Sequence, residues 1–361
     1  MGLMTLPFAV GDRAPVFVGA AASGRFFSLD GQAGRPALVV ALGGLEPDDA
    51  GVLLAKLRAL QSALARSGVD LVPIVPPTLP FTARFSADET VADLLIYVRG
   101  ADQLVSLTMA GAAGALLIDR GARIVDIMAL GETTDLMAQV RKSADRIASA
   151  APQTRAACAP ALIIPNVASP ELCRALIAHF EASSHAAGVM ASFNDGAAYA
   201  KLDESKKRRR DTELTAESPL FSEVLQVLSA RVIPEIKTAF QAEIANADRI
   251  LIARYDDTGG YFKRHRDDTA PHTAFREFAI SLNLNTHEYE GGELLFPEYD
   301  DDRYNPPAGG AVVFSASLLH EAAPVTKGSR SVLLSFLGSA AAQDRLTDWV
   351  ESQQAKASQA C

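Results

Sequence analysis

Apolar positions in the first 150 residues fall into short unbroken runs and into helical spacing, and from Arg249 onward they fall into short strands broken by turns. The run ALVVAL (37–42) has the length and composition of a buried strand. It ends at Gly43-Gly44, after which Leu53, Leu57, Leu60 and Leu64 recur along one helical face. A second apolar run, Val69 to Val75, stops at Pro76-Pro77. Ala115 to Asp119 and Arg123 to Met128 flank Arg120-Gly121 and predict two strands joined by a tight turn, with a closing helix from about Thr133 to Ile147. Strand, helix, strand, hairpin and helix in that order predict an α/β layer fold with a mixed sheet for residues 1–150.

The segment Ser149 to Pro160 mixes Ala, Pro and polar residues without periodicity and is the expected linker. A second domain, residues 151–361 with its core at 160–338, opens on ALIIPNV. Ser169-Pro170-Glu171 then supplies an N-cap, a proline for the first helical position and an early acid, ahead of a stripe of Leu172, Leu176 and Phe180. A longer helix is predicted over about 218–243, kinked at Pro234. Six short strands follow, ILIARY, YFKRHRD, FAISLNLN, GELLF, GAVVFSA and SVLLSFLG, which point to an α+β domain built on a jelly roll or barrel. The alanine-rich C-terminal tail is expected to be frayed helix.

The net charge of -9 argues against general affinity for nucleic acid or anionic membranes. No stretch of about 18 apolar residues suits a membrane span. The three cysteines, Cys158, Cys173 and Cys361, form neither a disulfide framework nor a thiolate metal site. The first residues, MGLMTLPFAVGDRAP, lack a basic region followed by an apolar run, so a cytoplasmic location is expected.

His265 and Asp267 lie two apart in a predicted strand, and the period of two sends both side chains to one face, where they can share a metal. His320 follows GGAVVFSASLL, where a barrel can bring it across to that pair. Two histidines and one carboxylate leave open positions that suit Fe(II) taking a bidentate cosubstrate together with O2. An isolated HxD arises often by chance; what gives it weight here is Arg330, ten residues after His320. An inward guanidinium on a strand of Val, Leu and Phe needs an anionic partner, and its planar fork matches a carboxylate. The bland reading is an exposed arginine at the strand's first residue.

Together, ARYDDTGGYFKRH with the HRD that follows, YEGGELLFPEY and GGAVVFSASLLHEAAPVTKGSRSVLLSFL resemble the prolyl 4-hydroxylase-like branch of the Fe(II)/2-oxoglutarate dioxygenases over roughly 160–338. The resemblance implies a double-stranded β-helix that couples oxidative decarboxylation of 2-oxoglutarate, to succinate and CO2, to hydroxylation of a C–H bond. The implied cofactor set is Fe(II), 2-oxoglutarate and O2, with ascorbate as a candidate auxiliary. By the same resemblance His265, Asp267 and His320 match the iron ligands, Arg330 the 2-oxoglutarate anchor and Tyr255 a tyrosine lining the cosubstrate pocket, although Tyr255 reads equally well as a core strand residue. Asn283 stands where relatives often place another pocket tyrosine.

VGDRAPVF, GRFFSLDGQAGRPALVVAL and ALLIDRGARIVDIMAL resemble the peroxiredoxin branch of the thioredoxin fold over roughly 8–148. Where that family places its peroxidatic cysteine this chain has GGLEPDDAG, and no cysteine precedes Cys158. The expected role of the first domain is therefore redox-inactive: scaffold, protein interaction or substrate presentation. The second domain is expected to act on a small-molecule or peptidyl substrate. Asp267 disfavours halogenation, which needs a small residue there; a non-catalytic pair of binding modules is the alternative of a different class. His272 and His287 are expected at the surface, the acidic run Glu298 to Asp302 in a solvated loop, and the basic run Lys206 to Arg210 either on a solvated face or at the barrel mouth facing an acidic substrate.

Overall fold

The computed structural model describes residues 8–98, 113–130, 135–147 and 154–359, apart from interruptions at 87, 89–90, 92, 144–146, 155–156 and 195–196. Most of the expected linker, the first residues of the predicted closing helix and its positions 144–146 lie outside the described residues. The chain divides into two compact units, residues 1–152 and 153–361.

The first unit is a seven-stranded mixed sheet: β1 (Val18–Ala21), β2 (Phe26–Ser28), β3 (Ala37–Ala41), β4 (Asp70–Val75), β5 (Ile96–Val98), β6 (Ala113–Ile118) and β7 (Ile124–Leu130), in the order β2-β1-β5-β4-β3-β6-β7. β3 runs parallel to β4 and antiparallel to β6, so it is buried on both faces, which is why ALVVA is apolar throughout. Alternation divides its side chains. Leu38 and Val40 pack into one cluster with Leu54 and Leu57 of the helix Pro47–Arg66, while Val39 and Ala41 pack into another with Phe17, Ile74 and Ile124. The β6–β7 hairpin turns on Asp119 to Arg123; Ala122 there has φ 58, and the Asp119 carboxylate accepts from the N–H groups of Gly121 and Arg123.

The second unit carries β8 (Ala161–Ile164), β9 (Ala186–Ala187), β10 (Met190–Asn194), β11 (Ala197–Lys201), β12 (Lys207–Arg208), β13 (Arg210–Glu213), β14 (Asn246–Asp256), β15 (Tyr261–His265), β16 (Phe278–Asn283), β17 (Tyr289–Gly291), β18 (Leu294–Leu295), β19 (Ala311–Ser315), β20 (His320–Ala322) and β21 (Val325–Gly338). An eight-stranded sheet includes β8-β19-β16-β21-β14-β13-β9 in that order, and a four-stranded sheet runs β12-β15-β20-β18. β10 and β11 pair antiparallel as a separate two-stranded sheet. Helix Pro170–Ala182 is capped as its sequence predicts, the Ser169 hydroxyl accepting from the Leu172 N–H, and it sends Leu172, Leu176 and Phe180 into a core shared with Ile252, Ile280, Val313 and Leu333.

The single kinked helix expected at 218–243 is two helices, Pro219–Arg231 and Ile233–Phe240, broken at Val232. The break precedes Pro234 because the proline ring excludes ordinary helical packing of the turn before it. Among the described residues no helix is long and apolar enough to cross a membrane.

Candidate metal and cosubstrate site

Two antiparallel ladders assemble the site. Across β15 and β20, His265 and His320 are register partners, which brings together residues 55 apart in sequence, with ring centroids 4.2 Å apart. Across β14 and β21, Tyr255 is the partner of Arg330. Asp267 is not on a strand: β15 ends at His265, and Asp267 sits in the bend that follows, its N–H bonded to the Ala316 carbonyl at 2.9 Å. The two side chains converge as expected, but the bend rather than strand alternation aims the carboxylate. His320 begins a strand instead of ending one, because a turn after Ser315 separates β19 from β20. Arg330 is likewise in the interior of β21, 2% exposed, and not at an exposed strand start.

One donor atom from each of His265, Asp267 and His320 lies within 4.8 Å of the others. The His265 Nε2 is 3.5 Å from Asp267 Oδ1 and the His320 Nε2 3.4 Å from Oδ2. Both Nδ1 atoms face backbone carbonyls, of Lys263 at 2.8 Å and Leu318 at 2.9 Å. A carbonyl only accepts, so each Nδ1 carries a proton and Nε2 is the ring nitrogen turned toward Asp267. Burial pushes the His320 imidazolium down, to about 4, against the pull of Asp267. Burial also works against ionised Asp267, but His320, His265 and Arg276 more than offset it and hold that carboxyl below the usual carboxylate range. Two imidazole nitrogens and one carboxylate form a donor set that fits Fe(II).

The Arg330 guanidinium is sealed among Ser281, Asn283 and Tyr255. Its Nη2 donates to Ser281 Oγ at 3.0 Å and to Asn283 Oδ1 at 3.1 Å, and the group lies 5.4 Å from the Tyr255 ring centroid. Among the described residues the Nε has no hydrogen-bond partner and no carboxylate pairs with Arg330. A buried cation so placed fits the carboxylate of a bound anion. Asn283 donates in turn to Asn305 Oδ1 and the Pro306 carbonyl, so its amide has a fixed orientation. Its role was visible in the sequence only as a departure from the tyrosine of relatives; Ser281 gave no signal, since a serine in a strand is commonplace.

These groups open into one cavity of about 1000 Å³. His265, Asp267, His320, Tyr255 and Arg330 all line it. So do Lys206, Lys207 and Arg209 of the basic run, with Lys207 buried in the wall and Lys206 exposed. His272 is half-buried beside Trp349, and His287 is exposed with φ 87; neither lines the cavity.

The family model for the 2OG-Fe(II) oxygenase superfamily matches residues 250–338. A PKHD-type hydroxylase of Cupriavidus metallidurans is 30% identical over 179 residues, covering 46% of this chain and 73% of that protein. One from Picosynechococcus sp. is 30% identical over 143 residues, 39% of this chain and 63% of the relative, and one from Maricaulis maris is 34% identical over 93 residues, 25% of this chain and 42% of the relative. Thus the chain spans less than two thirds of these last two relatives. Among solved structures, a Pseudomonas putida prolyl-4-hydroxylase has a TM-score of 0.37 at 18% identity, covering 50% of this chain and 92% of that one. A Trichoplax adhaerens prolyl hydroxylase in complex with a hypoxia inducible factor peptide fragment has 0.40 at 14% identity, covering 52% and 86%.

Proposed function

Because the chain belongs to the 2OG-Fe(II) oxygenase superfamily, we propose that it is an Fe(II)- and 2-oxoglutarate-dependent hydroxylase acting on a C–H bond of a small molecule or a peptidyl residue. The observation that carries this reading is a single cavity that holds both the His265, Asp267 and His320 donor set and the buried, carboxylate-free Arg330. Fe(II), 2-oxoglutarate and O2, when bound, would supply the oxidising chemistry, with succinate and CO2 formed as the substrate is hydroxylated.

In this reading the two imidazoles and Asp267 hold the metal, each imidazole fixed by its Nδ1 bond to a backbone carbonyl. Arg330 binds the far carboxylate of 2-oxoglutarate, with Ser281 and Asn283 aiming its Nη2. Tyr255, neighbour of Arg330 across the ladder, lines the same pocket. Phe262, Leu294 and Phe314 supply apolar wall that keeps water from the reacting atoms. The first unit is read as a redox-inactive thioredoxin-like module for interaction or presentation, because no thiol precedes Cys158.

The test is spectroscopic. Anaerobic addition of Fe(II) and 2-oxoglutarate should give a charge-transfer band near about 500–530 nm, as chelation at a two-histidine, one-carboxylate site does. His265→Ala should abolish it. A wild-type protein that binds both ligands without the band would defeat the assignment.

A further inference from the structure

The cavity has a second cationic pole that the metal and cosubstrate reading leaves unused. Lys207 and Arg209 have side chains only 4% and 7% exposed, and they share one carboxylate, Asp211. Lys207 Nζ is 3.7 Å from Asp211 Oδ2, and Arg209 Nη2 donates to the same oxygen at 3.1 Å. Two buried cations against one anion leave a net positive charge in the wall, a costly arrangement without a further anion. Burial, reinforced by the adjacent Arg209, pushes the Lys207 ammonium down to about 7 even with Asp211 and Asp267 favouring the charged form.

The pole sits close to the reacting centre and is prebuilt. Lys207 is the register partner of Phe262 and its Nζ lies 5.0 Å from that ring, which stacks on His265 with centroids 3.4 Å apart. One aromatic ring therefore separates the ammonium from a donor of the metal set. Arg209 donates from Nη1 to the Tyr255 hydroxyl at 2.9 Å, whereas Arg330 neighbours Tyr255 across the ladder, so one tyrosine touches both poles while each keeps its own partners. The cluster folds over the bare backbone of Gly188: a Cβ there would lie 2.9 Å from Lys207 Cε, Arg209 Cγ and Asp211 Oδ2.

We propose that Lys207 and Arg209, buttressed by Asp211, form the prime-substrate subsite and select a substrate bearing a carboxylate. The inference rests on the oxygenase reading of the cavity. A carboxylate is favoured over a phosphate because the wall's excess is at most one positive charge, which a monoanion neutralises and a dianion overshoots. The planar Arg209 fork also suits a planar anion.

Ligand-observed NMR on the full-length protein, loaded with 2-oxoglutarate and with diamagnetic Zn(II) in place of Fe(II), provides the test. The probes are matched pairs, phenylacetate with phenylacetamide, hexanoate with hexanamide and N-acetylproline with N-acetylprolinamide, together with phenyl phosphate. At least one carboxylate should bind about tenfold tighter than its amide, as a charge-assisted contact in a shielded site requires. Arg209→Gln and Lys207→Met should each shrink that ratio toward one and change 2-oxoglutarate affinity far less. No carboxylate bettering its amide, or phenyl phosphate outbinding phenylacetate, would overturn the proposal; neither measurement depends on a variant folding. So would variants that lose 2-oxoglutarate affinity while the carboxylate preference stays, since Arg209 would then serve the cosubstrate through Tyr255. Wild type that fails to bind 2-oxoglutarate in these samples would defeat the oxygenase reading and this inference with it, whereas normal 2-oxoglutarate binding without a carboxylate preference defeats this inference alone.

Discussion

A guanidinium shut away from solvent is tolerable only with partners for its charge, and Arg330 has two neutral acceptors and no carboxylate among the described residues. If 2-oxoglutarate supplies the missing anion, Arg330→Ala should weaken 2-oxoglutarate binding by roughly two to three and a half orders of magnitude, the equivalent of about 3–5 kcal/mol, with Fe(II) affinity little changed. Arg330→Lys keeps the charge but loses the fork and should fall between. Calorimetric titration of the three proteins, with metal affinity measured separately, checks the ordering; equal 2-oxoglutarate affinities would rule out the anchor role. A second residue-scale expectation concerns His320 in the metal-free protein. Its folded pKa of about 4 lies below the unfolded value of about 6.5, so the unfolded chain takes up the proton first as pH falls. The stability contribution is complete above about pH 6.5 and is lost on the way down to 4. Denaturant unfolding at pH 6.5 and 5 should therefore show a loss on the order of 1 to 2 kcal/mol that His320→Gln largely removes. An unchanged slope in the variant would place the titration elsewhere. The residue types at this scale were readable from sequence, because HxD, a later His and an arginine ten residues on make a spaced pattern. What the sequence did not reveal was the acceptor set around Arg330, since Ser281 and Asn283 become meaningful only when β16 lies beside β21.

Strand pairing converts that linear spacing into a site, and it does so through ladders whose register the hydrophobic pattern does not state. The six strands read from periodicity are present, but β21 begins at Val325, five residues before the Arg330 expected to open it. The extension is polar, VTKGS, and pairs with β17 through backbone bonds that side-chain alternation does not reveal. Where β17 ends, the Gly291-Gly292 pair has φ of 76 and 74, the left-handed region that favours glycine. At Gly292 a Cβ would also lie 2.9 Å from Val325 Cγ2 and 3.0 Å from Arg330 Cδ, so this turn is pressed against the stem of the anchor. Gly292→Ala should combine backbone strain of about 1–3 kcal/mol with displacement of Arg330, lowering both the unfolding midpoint and 2-oxoglutarate affinity. Gly24→Ala, at φ 85 with open space around its Cβ, is the control for strain alone. If Gly292→Ala were to leave 2-oxoglutarate affinity at the wild-type value, the turn would have no part in holding Arg330.

At the scale of the molecule, each unit has enough core to stand by itself. In the first, Leu38, Leu54, Leu57 and Leu117 pack on one side of the sheet and Val39, Ile74, Leu116 and Ile118 on the other. In the second, Ile252, Ile280, Val313 and Leu333 form a core under the helices, and Phe296, Val312, Phe314 and Val332 form another beside the metal set. The division was readable because periodicity changes between the halves; its meaning was readable only in part, since a cysteine missing from GGLEPDDAG says what the first unit lacks and not what it binds. Two outcomes follow from this architecture. The first unit has no thiol nucleophile, so full-length protein supplied with a dithiol should consume peroxide no faster than the variant with Cys158, Cys173 and Cys361 all changed to Ser. Of the two described cysteines, Cys158 is exposed but lies outside the first unit, and Cys173 is buried, with burial pushing its thiol up to about 11, away from the reactive thiolate. Residues 153–361 expressed alone should unfold in one cooperative transition and bind 2-oxoglutarate within about threefold of the full chain, because the donor set, Arg330 and all their partners lie within that unit. Loss of 2-oxoglutarate binding in a fragment that still unfolds cooperatively would show that the first unit contributes to the site, and its role would then be catalytic support and not presentation or docking.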